Sequence, residues 1–397
     1  MQRKELAAHF SKPTLHPGVV ATPEEQDLVR GQVEALIARR PKLAEPRLDM
    51  GRRIPIPLTT VTQKGGFDSY IVVQFPNPGA EPTMAALLVD SGNTVMVVPH
   101  ASPLLDTNLY ADLGATIEPW GCPAYVLKGP LQIPTANGGI YEIPECVFYA
   151  CYQDNPNGGG RTSNFGTGRV TPWSASSASQ PWGISNLTIQ SPLSYGSGFQ
   201  FAEFIYEPAT SMFSPTGALK VSDASQLILN SYMPSGYKRL KIIPNLGWMS
   251  VVPVALTVGG TATTWPGDVA SPIAMVDTGG GPVFLSDPNG YVYPKTWPDT
   301  VKCPSWTQSQ SFPSQNCNCV SDALQITLAG ADGAATYTYT IDTASLPQPV
   351  HGLTGVMCKV NGYMMGNQGM NIGGVSALFN RILIEYNGDH VGLLVSP

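Results

Sequence analysis

Two short stretches of the chain carry the same pattern, and this repeat constrains the fold more than any other feature. Each is an apolar run that ends in Asp, a small hydroxyl residue and Gly, first at residues 90–92 and again at residues 277–279. A carboxylate directly after a buried strand is unusual, because burying an unpaired charge is costly. Two such residues, 187 positions apart, predict a duplicated unit that brings two carboxylates together as a catalytic pair.

The length and the composition of the chain predict two lobes built from strands. At 397 residues the chain exceeds one ordinary hydrophobic core. It contains 41 Gly and 37 Pro, near a fifth of the residues, and only 13% are charged, which favours an all-β protein with many turns. We place an N-terminal lobe carrying Asp90 at residues 54–240 and a C-terminal lobe carrying Asp277 at residues 241–397.

Residues 1–53 form a basic N-terminal segment with one predicted helix. Residues 1–64 hold 11 of the 22 Lys and Arg but only 7 of the 28 Asp and Glu, whereas the rest of the chain is acidic. Thr22 and Pro23 are typical of a helix start, and Pro41 ends the helix. A basic segment is attracted to an acidic body. Two interpretations stay open, a prosegment-like cover and a leader that is solvated or packs on the body.

Charge and hydropathy exclude several classes of partner. The net charge of −6 argues against nucleic-acid binding. No apolar run approaches the ~18 residues that a membrane span needs. No apolar stretch typical of a secretory signal follows Met1. We therefore expect a cytoplasmic protein if Met1 is native, and a secreted or periplasmic one if a signal has been removed.

The seven cysteines show no metal-binding pattern. The Cys317-x-Cys319 motif lacks a second cysteine pair or a nearby His, so no metal site is predicted, and no cofactor is predicted either. The odd count leaves at least one thiol free. The preferred disulfide joins Cys358 to Cys317 or Cys319, although the sequence does not fix the connectivity.

The secondary structure follows from runs of apolar residues and from turn signals. A hairpin is predicted over residues 117–127 with its tip near Trp120 and Gly121, and a helix is predicted over residues 222–233. The predicted strands span residues 70–75, 84–89, 94–99, two short segments within 140–152, a pair within 248–260, 382–386 and 391–395. A short helix is predicted at residues 375–379.

The order of these features, repeated in the two halves, resembles the pepsin-like aspartic peptidases over the stretch from about Tyr70 to the end. The resemblance implies a bilobal fold, with lobes related by a pseudo-twofold axis and a deep cleft between them. It also implies that an apolar-Gly segment threads beside each Asp loop. Those segments would be Phe165-Gly166 and Ile372-Gly373.

The same resemblance implies the roles of the site residues. Asp90 and Asp277 would share one proton and activate a water for peptide hydrolysis. Ser91 and Thr278 would lock the two loops across the dyad, and Gly92 and Gly279 would allow the tight turns. The residues assigned to a flap over the substrate are Trp120, Gly121 and Tyr125.

Four positions depart from the family pattern, and one of them is Val97, where the family has Trp after the first motif. The residue after the Gly of each motif, usually a hydroxyl residue, is Asn93 in the first copy and Gly280 in the second. Asn93 is expected to bond to Asp90, whereas Gly280 offers only its backbone. Loss of a hydrogen bond to an ionised carboxylate raises its pKa. Trp120 stands where the family flap has Tyr, and its side chain donates only through its ring N–H.

These departures leave three functions open. The first is an aspartic endopeptidase that binds peptides in the cleft. The second is a pepsin fold whose dyad performs other acid–base chemistry on a small molecule, and the third is a catalytically inactive binding or inhibitor protein. Retention of both Asp residues favours the two enzymatic interpretations. In each case we expect a monomer.

Overall fold

The computed structural model describes most of the chain after residue 52, and every statement on structure refers to these residues. They are 53–63, 66–118, 120–156, 162–168, 189–206, 220–222, 224–241, 250–264, 273–279, 283–286, 317–320, 323–331, 335–342, 355–358, 369–372, 381–386 and 391–394. The predicted N-terminal helix and the predicted helix at residues 375–379 lie outside this set, as do Gly280 and Gly373.

The described residues form an all-β fold, which confirms the class predicted from composition. They include one short α-helix, α1 (Ser102–Leu105), and a 3₁₀ helix (Pro192–Tyr195), and none of their helices is long and apolar enough to span a membrane. The strands up to residue 240 are β1 (Ile54–Gln63), β2 (Gly66–Phe75), β3 (Thr83–Asp90), β4 (Met96–Val98), β5 (Ala111–Ile117), β6 (Pro123–Pro134), β7 (Ile140–Cys151), β8 (Asn164–Gly166), β9 (Phe201–Ile205), β10 (Lys220–Ser222), β11 (Gln226–Asn230) and β12 (Lys238–Leu240). The later strands are β13 (Ser250–Val251), β14 (Pro253–Val258), β15 (Thr261–Thr264), β16 (Ile273–Val276), β17 (Val283–Ser286), β18 (Cys317–Val320), β19 (Leu324–Ala329), β20 (Thr336–Ile341), β21 (Gly355–Cys358), β22 (Gly369–Ile372), β23 (Arg381–Glu385) and β24 (Val391–Leu394).

Six strands of the first half close into a barrel. The ring runs β2-β3-β8-β4-β7-β6 and closes where Gln74 of β2 lies opposite Gln132 of β6. Its interior is apolar, because alternate residues of each strand face inward. Phe75 packs against Phe148 and Tyr110, with ring centroids 5.4 Å and 6.1 Å apart. This core fixes the direction of β3, the strand that ends at Asp90.

One order of strand pairings occurs twice, once around each Asp-bearing loop. In the first copy β3 runs parallel to β8, β8 antiparallel to β4, β4 parallel to β7, and β7 antiparallel to β6. In the second copy β16, β22, β17, β21 and β18 repeat these pairings in the same sequence. The registers also correspond, with Val89 opposite Phe165 and Val276 opposite Ile372. The repeated motif in the sequence is therefore accompanied by a repeated topology.

The largest sheet draws strands from both sides of the boundary predicted at residues 240 and 241. β9 pairs with β11 on one side and with β23 on the other, and β24 joins β23 to β12. A four-stranded sheet, β15-β14-β19-β20, stands apart from it. The domain boundary itself stays a prediction.

A buried carboxylate stabilises the junction of β9, β11 and β23. Glu203 of β9 is only 2% exposed, and Tyr237 Oη donates to its Oε1 at 2.9 Å. Arg53 lies 3.2 Å from Oε2, and Arg381 lies 3.8 Å from Oε1. Asn230 Nδ2 also donates to Oε2. The charge of Glu203 is thus compensated by partners from four segments of the chain.

Two predictions of secondary structure are wrong. The predicted helix over residues 222–233 is replaced by β11, because Leu227 and Leu229 are needed to fill the core between β1 and β9. The two short strands predicted within residues 140–152 are one strand, β7, which pairs along β6 with a single shift in register. Tertiary packing decided both cases over local propensity.

The second half of the chain places two of the predicted disulfide partners opposite each other. Cys317 of β18 lies directly opposite Cys358 of β21 in an antiparallel pair, while Cys319 lies opposite Val356. Directly opposite residues of antiparallel strands are close enough at Cα for a disulfide. Of the two pairings left open by the sequence, the register favours Cys317 with Cys358.

Candidate active site

Each Asp of the repeated motif emerges from the end of a strand and is held by the strand that threads beside it. Asp90 is the last residue of β3, and its carbonyl oxygen accepts from Thr167 N at 2.8 Å, just after β8. Asp277 follows β16, and its N–H donates to Ile372 O of β22 at 3.1 Å. Both residues are half-buried. Each loop is therefore anchored by its own threading strand.

The two loops interlock through the hydroxyl residues that follow each Asp. Ser91 N donates to Thr278 Oγ1 at 3.0 Å, and Thr278 N donates to Ser91 Oγ at 2.9 Å. Each hydroxyl then donates across to the opposite strand, Ser91 Oγ to Val276 O at 2.9 Å and Thr278 Oγ1 to Val89 O at 3.2 Å. Both side chains are fully buried. This reciprocal set joins residues 187 positions apart.

The glycines of the two motifs bring each loop against the opposite carboxyl group. A Cβ atom built on Gly92 would lie 2.6 Å from Asp277 Cγ, and one built on Gly279 would lie 2.6 Å from Asp90 Cγ. Real Cβ atoms do not approach other heavy atoms so closely, so neither position has room for a side chain. The backbone at Gly92 thus packs against the Asp277 side chain, and the backbone at Gly279 packs against the Asp90 side chain.

The two carboxyl groups influence each other through their charges. Burial raises the pKa of Asp90 well above its usual range, and the charge of Asp277 raises it further. Donors from Asn164 and the Gly92 backbone act in the opposite direction and lower the pKa of Asp90. Asp90 therefore holds a proton more tightly than an ordinary carboxyl group.

The amide that reaches Asp90 comes from the threading strand and not from the Asp loop. Asn164 Nδ2 donates to Asp90 Oδ2 at 2.9 Å. The sequence predicts this bond from Asn93, but Asn93 Oδ1 instead accepts from Val95 N at 3.1 Å and closes its own loop. The prediction for Asn93 fails because the side chain is short enough to cap the backbone two residues on.

Tyr206 is a second residue beside the dyad that sequence reasoning missed. It is buried directly after β9, close to Thr278 and Ser69. Burial raises the pKa of Tyr206, and the charges of Asp90 and Asp277 add to the rise, so the phenol stays neutral. Its aromatic character alone is typical of strand packing, and the sequence contains no further signal for this position.

The hairpin predicted to act as a flap is present. β5 and β6 pair antiparallel, and Gly121 in the turn has φ +98°. Trp120 is 39% exposed, and its carbonyl oxygen accepts from Asn155 Nδ2. The ring of Tyr125 packs on Tyr152 at 4.7 Å between centroids. Trp120 and Tyr125 thus contact residues of their own hairpin and of neighbouring segments. Their role in covering a bound substrate stays a prediction.

A cluster at the base of this hairpin combines possible metal ligands. Glu118 and the two thiols of Cys122 and Cys151 have ligand atoms within 4.8 Å of one another. The carboxylate is already engaged, since Trp120 N donates to Oε2 at 3.0 Å and Cys122 N to Oε1 at 2.7 Å. Thr162 Oγ1 donates to Oε1 as well. Glu118 thus stabilises the turn. The three hydrogen bonds that its carboxylate accepts leave little capacity for binding a metal ion.

The threading segments run parallel to the strands that carry the Asp loops. Phe165 is fully buried opposite Val89, and Gly166 lies opposite Asp90 in the register. Ile372 is buried opposite Val276. The structure thus brings together both Asp residues, both loop hydroxyls, both loop glycines and these segments. Gly280 and Gly373 lie outside the described residues.

One signal in the sequence could have identified Asn164. The threading segments read Asn-Phe-Gly at residues 164–166 and Asn-Ile-Gly at residues 371–373, so the repeat includes the Asn as well as the apolar-Gly pair. A comparison with models of known protein families finds no match, and a comparison with curated protein sequences finds none that is significantly similar. Function is therefore inferred from the geometry and chemistry of the two loops.

Proposed function

We propose that the protein is an aspartic-type endopeptidase of the pepsin-like kind, with Asp90 and Asp277 as its catalytic dyad. The observation that carries the proposal is the interlock of the two Asp loops, which sets Gly92 against Asp277 and Gly279 against Asp90. The charge of Asp277 accordingly raises the pKa of Asp90. Two carboxyl groups in contact share a proton, and one of them then serves as acid while the other serves as base. The bilobal arrangement with a cleft is part of the proposal, and the repeated pairing order supports it.

The chemistry follows from the asymmetry of the pair. Asp90 holds the proton and hydrogen-bonds the carbonyl oxygen of the scissile peptide, while ionised Asp277 takes a proton from a water held between them. The hydroxide formed in this step attacks the carbonyl carbon, and the proton of Asp90 neutralises the developing oxyanion. The proton taken by Asp277 then passes to the amide nitrogen as the C–N bond breaks. One hydroxyl of the intermediate returns its proton to Asp90 in the same step, which leaves a carboxylic acid product and restores the starting state of the dyad.

Immobile surroundings suit this mechanism. The hydroxyls of Ser91 and Thr278 fix the loops, and the glycines that follow them exclude side chains from the space beside each carboxyl group. Preorganised groups contribute more to catalysis than mobile ones, because no reorganisation is needed at the moment of reaction. The substrate would be a peptide bound in an extended conformation, and neither a metal nor a cofactor enters the scheme.

The test is cleavage of a peptide library between about pH 3 and pH 7 by the full-length chain. We expect wild-type cleavage that is lost by at least 10³-fold in Asp90→Asn and Asp277→Asn. Asp112→Asn, on the exposed strand β5, is the matched control and should retain activity. Cleavage that survives either dyad substitution would refute the mechanism. A folded wild type with no cleavage at any pH would redirect the assignment to small-molecule chemistry or binding.

A further inference from the structure

Two free thiols lie side by side at the base of the hairpin formed by β5 and β6. Cys151, the last residue of β7, lies opposite Ala124 of β6, and Cys122 comes two residues before Ala124. Alternate residues along a strand lie on one face, so both thiols are on the same side of the sheet. Their Sγ atoms are within 4.8 Å of each other, and neither cysteine is in a disulfide.

The two thiols are buried between an apolar cluster and a surface turn. Both are completely buried, and they share one cluster with apolar residues of β4, β6 and β7. Trp120, two residues before Cys122, is 39% exposed, and Gly121 between them is half-buried. Short-range opening of a surface turn needs much less free energy than unfolding of the sheet. Local opening of the turn therefore gives a small reagent access to the thiols.

The two cysteines sit on parts of the fold that are held differently. The end of β7 is fixed by backbone bonds, since Cys151 O accepts from Ala101 N at 3.0 Å. The turn at Cys122 is held mainly by the carboxylate of Glu118, and Cys122 Sγ lies 3.7 Å from Thr162 Oγ1. A covalent bond between the two sulfurs would thus fasten the turn to an anchored strand.

We propose that Cys122 and Cys151 form a redox modification site, at which a hydroperoxide converts the two thiols into a disulfide that ties the tip of the hairpin to β7. The proposal goes beyond the peptidase function and does not depend on it. Cys122, next to the exposed turn, is the thiol that meets the oxidant, and Cys151 is the resolving thiol. The neighbouring Cys151 thiol lowers the pKa of Cys122, although burial and the charge of Glu118 oppose this, and the thiolate is the reactive form.

The oxidation proceeds in two steps that balance. The Cys122 thiolate attacks one oxygen of the hydroperoxide, so that an S–O bond forms, the O–O bond breaks and the departing oxygen takes up a proton. The product at Cys122 is a sulfenic acid. The Cys151 sulfur then attacks the Cys122 sulfur, the S–O bond breaks, and the hydroxide leaves as water with the proton of the Cys151 thiol. Two electrons pass from the sulfurs to the peroxide oxygens.

The experiment treats the reduced full-length chain with hydrogen peroxide, blocks the remaining thiols with an alkylating agent and maps the peptides by mass spectrometry. The test variants are Cys122→Ala and Cys151→Ala. The matched control is Cys146→Ala, because Cys146 is a third buried free thiol of the same hairpin but lies opposite Gly129 in the register. Amide hydrogen exchange of Trp120 and Cys122 is measured on the reduced and oxidised samples.

We expect the wild type to yield a peptide pair linked through Cys122 and Cys151, two hydrogen masses lighter than the separate peptides and separated again by a dithiol reductant. The Cys146→Ala control should yield the same linked pair, and both test variants should lack it. Exchange at Trp120 and Cys122 should slow by about tenfold or more on oxidation of the wild type, since a cross-link restricts the open states from which amides exchange. In Cys151→Ala the oxidant should leave exchange unchanged.

Two results would overturn the proposal. The first is a wild type in which Cys122 and Cys151 stay thiols, or become linked only in urea, at peroxide concentrations that oxidise a small reference dithiol. The second is a linked pair whose formation leaves exchange in the turn unaltered, because the disulfide would then not fasten the hairpin. Neither result bears on peptide cleavage, so the peptidase assignment stands or falls separately.

Discussion

Gly92 and Gly279 show how little space separates the two loops at the dyad. Each lies against the opposite carboxyl group, so that even a methyl group has no room. The clashing atoms would be Cβ, Cγ and Oδ1 of Asp277 and of Asp90. Both are short side chains fixed by hydrogen bonds, so the clash cannot be relieved by moving the end of a flexible side chain. Relief of the clash must move one loop relative to the other.

We therefore expect Gly279→Ala and Gly92→Ala each to lower the free energy of unfolding by about 1–3 kcal/mol through overpacking. Displacement of a carboxyl group by about 1 Å should also reduce kcat at least 10²-fold. Gly139→Ala is the control, because its Cβ would only touch Thr135 Oγ1 at 3.4 Å. Urea unfolding and peptide cleavage measure the two effects. Equal behaviour of all three variants would contradict the tight approach.

The hydroxyls of Ser91 and Thr278 permit a second test at the same scale. Each buried hydroxyl both accepts a backbone N–H and donates to a backbone carbonyl, so its loss leaves two buried groups unpaired. We expect Thr278→Ala to cost about 1–3 kcal/mol of stability, whereas Thr278→Ser should retain most of it. The double variant with Ser91→Ala should show a coupling energy of about 0.5–3 kcal/mol in urea unfolding. Strict additivity would show that the two hydroxyls act independently.

At the scale of elements, the junction of β9, β11 and β23 depends on the compensated charge of Glu203. Tyr237→Phe removes the hydroxyl that donates to Glu203 Oε1. Because hydrogen bonds to charged groups are strong, we expect a loss of about 1.5–3 kcal/mol in the free energy of unfolding. Tyr232→Phe is the matched control, since Tyr232 is 58% exposed and should change stability by less than about 0.5 kcal/mol. An unchanged urea midpoint in Tyr237→Phe would mean that Arg53, Arg381 and Asn230 satisfy the carboxylate without Tyr237.

The elements also show which parts of the fold could be predicted from the sequence. β2, β3 and the hairpin of β5 and β6 follow from apolar runs and turn residues, which are local signals. β11 could not be predicted, because residues 226–230 become a strand only when β1 and β9 supply partners on both edges. The same limit applies to the site. The Asp motif is local, whereas the bond from Asn164 depends on register between strands 74 residues apart.

At the scale of the whole molecule, the raised pKa of Asp90 makes stability depend on pH. A carboxyl group whose pKa is higher in the folded state than in the unfolded chain binds more protons when folded. Its contribution to stability is complete below the unfolded pKa of about 3.9 and is lost as pH rises through the folded pKa. Each unit of elevation corresponds to about 1.4 kcal/mol.

We expect Asp90→Asn to be more stable relative to the wild type at pH 7 than at pH 4, since the amide has no proton to lose. The measurement is the difference in free energy of unfolding between variant and wild type across this range, so that the titration of carboxyl groups outside the dyad cancels. Asp112→Asn, on exposed β5, should give a flat difference. A flat difference in Asp90→Asn as well would show that Asp90 ionises normally in the folded protein.

The interlocked loops set a condition on the order of folding. Residues 90–92 and 277–279 supply walls and hydrogen bonds to each other, so neither loop reaches its final geometry before the chain segments that carry them have met. Contacts between residues so far apart in sequence form slowly, because the loss of chain entropy precedes the gain in contacts. On refolding, strand structure should therefore appear before the dyad does. Asp90 and Asp277 can therefore share a proton only after both halves of the chain have folded together. A chain synthesised only as far as the first motif would contain Asp90 but could not perform the chemistry.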